Sequence, residues 1–448
     1  MEEIKVYNTL TKEKEVFHPI KEGEAKIYVC GVTPYNHPHI GNARPAVTWD
    51  IIRRYLEFIG YKVIFVQNFT DVDDKIINKA NAEGSDWKTI SDRYIDAYFE
   101  VMDKLHVRRA DMYPRVSDHM KDIIDMVKTL IEKGHAYVLG GDVYYDISTF
   151  KDYGKLSGRK IEDMLAGARI EVNDEKRNPG DFALWKAAKP GEPFWESPWG
   201  KGRPGWHTEC VVMINKNLGP LIDIHGGGMD LRFPHHENEA AQQECTHHNS
   251  LANYWIHNAM ININGQKMSK SLGNTLWAQD VVDRLGTNLT RWLMSSVHYR
   301  KELNFSDETV ETARKELDKV MNPMRSINVK AALNGVTLGC AWDEAAYRSF
   351  LDQLDDDLNT PNAYTVIFEQ AKKLNQMLRV REPDWNQAAL TRNAIEKMLN
   401  ILGIVVEKPE VSDEDRALYA RWNEARANKD FAAADECRKA LAEKGLLS

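Results

Sequence analysis

The sequence lacks three features, and each absence excludes a class of protein. No apolar run is long enough to span a bilayer, and no basic segment leads into an apolar one at Met1–Lys5, so we expect a cytoplasmic protein with no membrane partner. The five cysteines are scattered and odd in number, which favours free thiols over a disulfide framework. No Gly-x-Ser-x-Gly segment is present, so the sequence contains no nucleophile elbow.

The sequence also lacks an excess of positive charge. The net charge of −8 gives no general basic footprint for nucleic acid, so any RNA contact must use local basic patches. The rest of the composition is ordinary for a globular protein, with 43% hydrophobic and 28% charged residues. A chain of 448 residues is long enough for about two to four domains and a large core.

The most informative stretch is Cys30–Pro45. It follows a β-prone run at residues 27–29 and precedes a helical pattern in which apolar residues recur every four positions over residues 47–59. Gly31 and Gly41 let the backbone approach a ligand closely, and the first turn of the following helix can present N–H groups to an anion. The pattern predicts a strand, a phosphate-binding loop and a helix, or else a βα unit whose loop happens to contain histidines.

A second stretch, Gly265–Ser271, places two lysines and two serines after a glycine. The segments His39-Ile40-Gly41-Asn42 and Lys267-Met268-Ser269-Lys270-Ser271 resemble the two signature motifs of class I aminoacyl-tRNA synthetases, in the same order and at a comparable separation. We refer to them as the first and the second signature. The resemblance implies an α/β fold, with a Rossmann-like, doubly wound parallel-sheet catalytic domain that carries an inserted connective segment, followed by an all-α C-terminal helical bundle.

The resemblance also implies a division of the chain into five parts. In chain order, these are a catalytic domain at 1–120 and 200–260, an inserted acceptor-side segment at 121–199, the second-signature loop with a stem-contact helical link at 261–305, a helical bundle on the tRNA anticodon side at 306–405, and a small, shortened anticodon-binding module at 411–448.

Polar residues follow the second predicted strand, Lys62–Asn68. Thr70 and Asp71 come directly after it, where residues past the carboxyl ends of parallel strands line a ligand crevice, although such residues before a helix also serve as N-caps. A helical pattern then fills Lys75–Leu105. Residues Ala136–Asp146, with two glycines between two β-prone runs, predict a hairpin.

A second glycine-rich segment follows the strand-like run Leu221–Ile224. The glycines at Gly226–Gly228 suit another close approach of the backbone to a ligand, and Asp230 can accept hydrogen bonds from ribose hydroxyls. The segment Phe233–Glu239 then opens a helix, with Pro234 in its first turn. We therefore expect a second ligand-binding turn at this point of the chain.

Four residues from separate stretches have the side chains of a metal site. His235 and Glu239 are four positions apart and share one helical face. With Cys30 and Cys210 they offer an imidazole, a carboxylate and two thiolates, a set that favours zinc over calcium or magnesium. From spacing alone, two isolated cysteines and a solvent-exposed helix face are the more usual explanation of the same residues.

Further motifs narrow the resemblance to one family. The cysteine before the first signature and the segments Gly205–Cys210, Ile224–Leu231 and Phe233–Glu239 resemble cysteinyl-tRNA synthetases. The resemblance implies one zinc ion per chain, which the four residues above bind and which recognises the thiol of the substrate. It also implies L-cysteine and ATP with magnesium as substrates, tRNA(Cys) as the partner, and a monomeric enzyme that ligates cysteine to tRNA.

The same resemblance assigns roles to individual residues. Catalytic roles fall to His39, Asn42, Lys267 and Lys270. ATP is expected to contact Gly31, His39, Gly41, Asn42, Gly228, Asp230 and Lys270. Substrate cysteine is expected to contact Thr70, Trp206 and His225, and the metal is expected to bind Cys30, Cys210, His235 and Glu239.

The sequence departs from the family pattern at two places. Asn42 replaces the class-wide histidine, and because an amide carries no charge, its expected role is steric and orienting. The sequence stops at Ser448, where family members continue, which leaves anticodon recognition open. Three alternatives also stay open: a ligase that joins cysteine to an amino-sugar in mycothiol synthesis, a non-catalytic tRNA-binding paralogue, and a persulfide-forming side activity with pyridoxal phosphate on Lys75 and Lys79.

Overall fold

The computed structural model describes residues 3–159, 175–268, 272–380 and 382–447, which form two compact units. The first unit comprises Met1–Thr287, Val297–Phe305 and Asp355–Leu358, and the second comprises Asn288–Ser296, Ser306–Leu354 and Asn359–Ser448. None of the helices in the described ranges combines the length and the apolar character that crossing a membrane requires.

The first unit contains strands and helices in alternation. Its strands are β1 (Lys5–Asn8), β2 (Glu13–Val16), β3 (Glu24–Val32), β4 (Lys62–Phe69), β5 (Ala136–Leu139), β6 (Asp142–Tyr145), β7 (Phe182–Ala187), β8 (Gly202–Pro204), β9 (Ile222–Gly228), β10 (Ala252–Asn258), β11 (Ile261–Ile263), β12 (Gln266–Lys267) and β13 (Leu303–Phe305). Its helices are α1 (Ile40–Phe58), α2 (Asp74–Glu83), α3 (Trp87–Lys104), α4 (Met120–Glu132), α5 (Glu209–Asn217), α6 (Glu237–His247) and α7 (Ala278–Leu285).

A four-stranded parallel sheet in the order β10-β9-β3-β4 organises the first unit. Its strands are rich in buried apolar residues, such as Ala25, Ile27 and Val29 on β3, as is typical of parallel sheets. Because all four strands run in the same direction, their carboxyl ends meet at one edge, where ligands bind in α/β folds. The predicted parallel α/β sheet is confirmed, and the strand predicted over Lys62–Asn68 corresponds to β4.

Three further sheets complete the first unit, and one of them is the antiparallel pair β1-β2. An antiparallel sheet has the order β5-β6-β7-β8, and its first two strands form the predicted hairpin, with Ala136 opposite Tyr145. The turn passes through Gly140 and Gly141 at φ values of 61° and 91°, which glycine adopts without strain. The remaining sheet, β12-β11-β13, carries Lys267 of the second signature on β12.

One local prediction was wrong. The helical pattern at Lys75–Leu105 is divided into α2 and α3, because Gly84 ends α2 with a φ of 63° and Asp86 begins α3 by accepting hydrogen bonds from two backbone N–H groups. Pro234, predicted in the first turn of a helix, follows a cis peptide bond and lies in the short helical turn Arg232–His236, which continues directly into α6 at Glu237.

The second unit is built from helices. They are α8 (Thr287–Ser295), α9 (Asp307–Leu333), α10 (Glu344–Asp355), α11 (Thr360–Met377), α12 (Trp385–Ile401), α13 (Asp413–Ala427) and α14 (Phe431–Glu443). The helix break predicted over Asp355–Pro361 is confirmed, and the side chain of Asn359 caps α11 by accepting a hydrogen bond from the N–H of Asn362. The predicted all-α C-terminal part is thereby confirmed, whereas the five domain boundaries stay predictions.

Candidate active site and metal centre

A cavity of about 620 Å³ opens at the carboxyl ends of β3, β9 and β10. It is bordered by the predicted nucleotide contacts Gly31, His39, Gly41, Asn42, Gly228 and Asp230. Lys267 borders it as well, whereas Lys270 lies outside the described residues. The fold therefore brings parts of both signatures, which are far apart in sequence, to the wall of one cavity.

The first signature forms the start of α1. His39 is the N-cap residue, and Oδ1 of Asn42 accepts a hydrogen bond from the backbone N–H of His39 at 3.1 Å. The amide thus holds the turn that leads into the helix, as a capping residue does. The chain before this turn passes close to β4, because a Cβ on Gly31 would lie 1.7 Å from the carbonyl oxygen of Asn68, which no side chain tolerates.

Backbone hydrogen bonds join the first signature to the segment that follows the second. The N–H of Ile40 donates to the carbonyl of Leu276 at 2.9 Å, and the N–H of Ala278 donates to the carbonyl of Pro38 at 2.9 Å. These two bonds form a short antiparallel bridge beside the cavity. The C-terminal side of the second signature is therefore fixed against the N-terminus of α1.

The four predicted metal ligands lie together beside the cavity. One donor atom from each lies within 4.8 Å of the others. Sγ of Cys30 is 3.6 Å from Sγ of Cys210, which is 3.6 Å from Nε2 of His235, and that nitrogen is 2.8 Å from Oε1 of Glu239. Cys30 is half-buried and borders the cavity, while the other three are buried. A cation bound here would lie next to the cavity.

The charges in this cluster are compatible with a bound cation. The hydrogen bond from Cys30 lowers the pKa of Cys210 to about 6, which favours the thiolate form of this sulfur. Burial and the neighbouring Cys210 raise the pKa of Cys30 well above its ordinary value. Burial by itself would lower the pKa of His235, but Glu239 and Cys210 raise it to about 10, so a proton supplies the balancing charge. A divalent cation bound here would replace such a proton and would let both sulfurs ionise.

A second group of donor atoms overlaps the first. Cys30 and Glu239 also lie within 4.8 Å of ring nitrogens of His225 and His236. Nε2 of His225 is 2.5 Å from Oε2 of Glu239, and Nε2 of His236 is 3.2 Å from Sγ of Cys30. We interpret these two histidines as groups that orient the ligands, because the first group holds both soft thiolates and metal ligands usually bond to such outer partners.

The orienting histidines continue into a buried chain of hydrogen bonds. Nδ1 of His236 is 2.8 Å from Nε2 of His257, whose Nδ1 is 2.8 Å from Oγ1 of Thr9. Burial lowers the pKa of His257 to about 3, so this ring is neutral. Sequence reasoning assigned no role to His236 or His257. The available signal was position, since His236 directly follows a predicted ligand and His257 lies at the carboxyl end of β10.

The three predicted contacts to substrate cysteine lie around the metal ligands, and none is among the described residues that border the cavity of about 620 Å³. Thr70 is buried and donates a hydrogen bond to Glu209 at 3.0 Å. Trp206 borders a second cavity of about 310 Å³, and its ring stacks on His235 with the centroids 4.3 Å apart. His225 is fully buried against Glu239. Their contact with cysteine stays a prediction.

Comparison with known proteins defines the class. Residues 16–315 match the family described as tRNA synthetases class I (C) catalytic domain, and residues 349–407 match the DALR domain. Mycobacterium tuberculosis methionyl-tRNA synthetase bound by methionyl-adenylate has a similar fold, with a TM-score of 0.63 and 14% identity over 92% of this chain and 96% of that chain. The fold and the matched domains define a class I tRNA synthetase.

Curated relatives then narrow the class. The cysteine–tRNA ligase of Geobacillus sp. (strain WCH70) is 47% identical over 455 residues, which cover 100% of this chain and 97% of the relative. The cysteine–tRNA ligase of Clostridioides difficile (strain 630) is 46% identical over 453 residues, which cover 99% of this chain and 97% of the relative. The chain belongs to the cysteine–tRNA ligase family.

Proposed function

We propose that this chain activates L-cysteine with ATP and transfers it to the 3′ end of tRNA(Cys). The observation that carries the proposal is the cavity of about 620 Å³, which borders Cys30 of the thiol-rich cluster as well as residues of both signatures. A small amino acid whose side chain reaches the cluster would have its carboxylate in the same cavity as the nucleotide. The likeness to cysteine–tRNA ligases over the full chain supports the same activity.

In the first step, the carboxylate of cysteine attacks the α-phosphate of ATP, and pyrophosphate leaves. Donors fixed in advance around the phosphate oxygens lower the barrier, because negative charge develops there. His39 and Asn42 lie at the N-terminus of α1, where the helix dipole favours an anion, and Lys267 borders the same cavity. We assign the same phosphate contact to Lys270. Magnesium accompanies ATP and is bound mainly by phosphates and water.

Three glycines and one carboxylate fit the rest of the nucleotide. Gly31, Gly41 and Gly228 border the cavity without side chains, so backbone groups can contact phosphate or base directly. Asp230 borders the cavity at the end of β9, the position from which a carboxylate accepts hydrogen bonds from ribose hydroxyls. In the second step, a ribose hydroxyl of the terminal adenosine attacks the activated carboxyl and AMP leaves, which requires no nucleophile from the protein.

We propose zinc as the resident metal, held by Cys30, Cys210, His235 and Glu239. The donor set fits this ion, since two sulfurs, an imidazole and a carboxylate lie together in a largely buried cluster. When bound, zinc would favour the soft thiolate of cysteine over the hard hydroxyl of serine. His225 holds the second oxygen of Glu239, so the carboxylate is kept in one orientation. A site built around one polar bond rejects an analogue that cannot form it, so no editing site is needed.

Two assays test the proposed function. Cysteine-dependent exchange between ATP and labelled pyrophosphate reports activation, and transfer of labelled cysteine to unfractionated tRNA reports the second step. We expect both with ATP and magnesium. Exchange without tRNA charging would reject tRNA as the acceptor and favour an amino-sugar. Binding of tRNA without any exchange would favour a non-catalytic paralogue.

A further inference from the structure

Arg44 is a buried cation in the first turns of α1. Its side chain is only 1% exposed, and within the described ranges it forms no ion pair with a carboxylate. The guanidinium instead donates hydrogen bonds to backbone carbonyls. Nη1 contacts Ala259 at 3.0 Å and Met260 at 2.6 Å, and Nη2 contacts His298 at 3.4 Å and Lys301 at 2.5 Å. This single side chain therefore joins three separate parts of the first unit.

The contacted carbonyls flank the sheet that carries the second signature. Ala259 and Met260 form the connection from β10 to β11, and Lys301 lies just before β13. Strand β11 pairs with β13 on one side and with β12, which bears Lys267, on the other. Arg44 thus holds α1 against the two points where the chain enters this sheet. The bridge between Pro38 and Ala278 holds the far side of the second signature, so the segment between is anchored to α1 at both ends.

A role in stability alone explains this arrangement poorly. Burial lowers the pKa of Arg44 to about 10, while Glu302 favours its charge from a distance, so the guanidinium remains protonated at neutral pH. Burying a charge without a counter-ion is costly, and apolar residues of similar volume often stabilise such positions better. What a guanidinium offers is a rigid, planar fork that fixes several acceptors at once.

We propose that Arg44 is a positioning residue for adenylate formation, which fixes the sheet bearing Lys267 relative to His39 and Asn42 at the start of α1. The phosphates of ATP are then held between two walls whose separation this side chain sets. The inference rests on the proposed function, because it concerns the activation step. It gives Arg44 no contact with substrate, and so predicts a change in the rate of activation rather than in the recognition of cysteine.

The test compares Arg44→Gln and Arg44→Lys with Arg53→Gln in the full chain. Arg53 lies on the same helix and also makes several hydrogen bonds, but to Glu57, Arg109 and Asp111, away from the second signature. For each variant, kcat and KM for ATP and for cysteine are measured by pyrophosphate exchange, together with metal content and the melting temperature. A variant with only structural damage changes the melting temperature while the kcat of its folded fraction is retained.

We expect Arg44→Gln to lower kcat by about 10- to 100-fold, because small misplacements of reacting groups have effects of that size. KM for cysteine and metal content should stay within about twofold of wild type. The kcat of Arg44→Lys should lie between those of wild type and Arg44→Gln, since one ammonium cannot reach all the carbonyls. If Arg44→Gln folds and its kcat equals that of Arg53→Gln, the proposal is overturned. Failure of both Arg44 variants to fold, while Arg53→Gln folds, would also overturn it by making Arg44 a structural residue.

A second measurement distinguishes a failure of this inference from a failure of the proposed function. If the wild-type chain shows no exchange, the proposed function fails, and the thermal shift produced by ATP with magnesium takes the place of kcat. Arg44→Gln should then lose most of that shift while Arg53→Gln keeps it. An equal shift in both variants, or no shift in wild type, would reject a role for Arg44 in holding nucleotide between the two signatures.

Discussion

Replacement of Cys210 by serine tests the metal centre and the activation chemistry together. Cys210→Ser exchanges one sulfur for oxygen at a position that is 2% exposed, so the change in volume is small. It removes one of the two soft donors and the ionised group whose charge His235 balances at 3.6 Å. We expect metal content and cysteine activation to fall in parallel.

The size of the effect follows from ligand linkage. Loss of a residue that only orients a ligand costs roughly 10- to 100-fold in metal affinity, so loss of a direct donor costs at least about 100-fold. A metal at about 1,000 times its Kd stabilises the folded state by about 4.1 kcal/mol, and at about 10 times its Kd by about 1.4 kcal/mol. The substitution therefore removes roughly 2.7 kcal/mol, which lowers the Tm of a domain of this size by about 5 °C.

Metal content by elemental analysis, pyrophosphate exchange and Tm with and without chelator measure the outcome. Cys245→Ser is the matched control, because Cys245 is also buried in the first unit but its sulfur lies 3.1 Å from the hydroxyl of Tyr145 and belongs to neither donor group. This control should retain metal and exchange. Cys210→Ser protein with full metal occupancy and wild-type exchange would refute the ligand assignment.

Two further predictions concern stability. Gly226→Ala should lower the free energy of unfolding of the first unit by about 1–3 kcal/mol in urea, because the added Cβ would lie 1.9 Å from the ring of Trp49. Gly339→Ala, at a position with open space, is the control and should cost less than about 0.5 kcal/mol. Equal losses of stability in the two variants would contradict this prediction. In the second unit, the hydrogen bond from Lys444 lowers the pKa of Asp415 to about 2, below an unfolded value of about 3.9. This carboxylate should therefore stabilise the fold above about pH 4 and lose that contribution as the pH falls through about 2, and an NMR titration that places its pKa near 4 would contradict the contact.

Elements with a local signal were predictable from the sequence. The strand at Lys62–Asn68, the hairpin at Ala136–Asp146 and the break at Asp355–Pro361 each depend on residues within a short stretch, and the structure confirms them. The division between α2 and α3 was missed for the opposite reason. Gly84 and Asp86 interrupt a helical pattern of apolar residues that continues on both sides. The prediction followed this periodicity and overlooked the two cap residues, which mark the boundary between the helices.

The candidate site was predictable only where one motif carries several of its residues. The two signatures were recognisable as sequence, and their described residues other than Ile40 border one cavity. The bonds of His225 to Glu239 and of His236 to Cys30 depend on how β9, the turn before α6 and β3 pack, which no local pattern contains. Arg44 likewise reads as an ordinary helix residue, because its carbonyl partners follow it by more than 200 positions.

The most direct test of the central claim, that the metal cluster selects a thiol for activation, compares cysteine with serine before and after metal removal. Pyrophosphate exchange is measured on the purified chain, on the same protein stripped by chelator, and after reloading with zinc. The proposed mechanism predicts exchange with cysteine alone, its loss on stripping and its return on reloading. Unchanged exchange with cysteine after complete removal of metal, or equal exchange with serine, would contradict it.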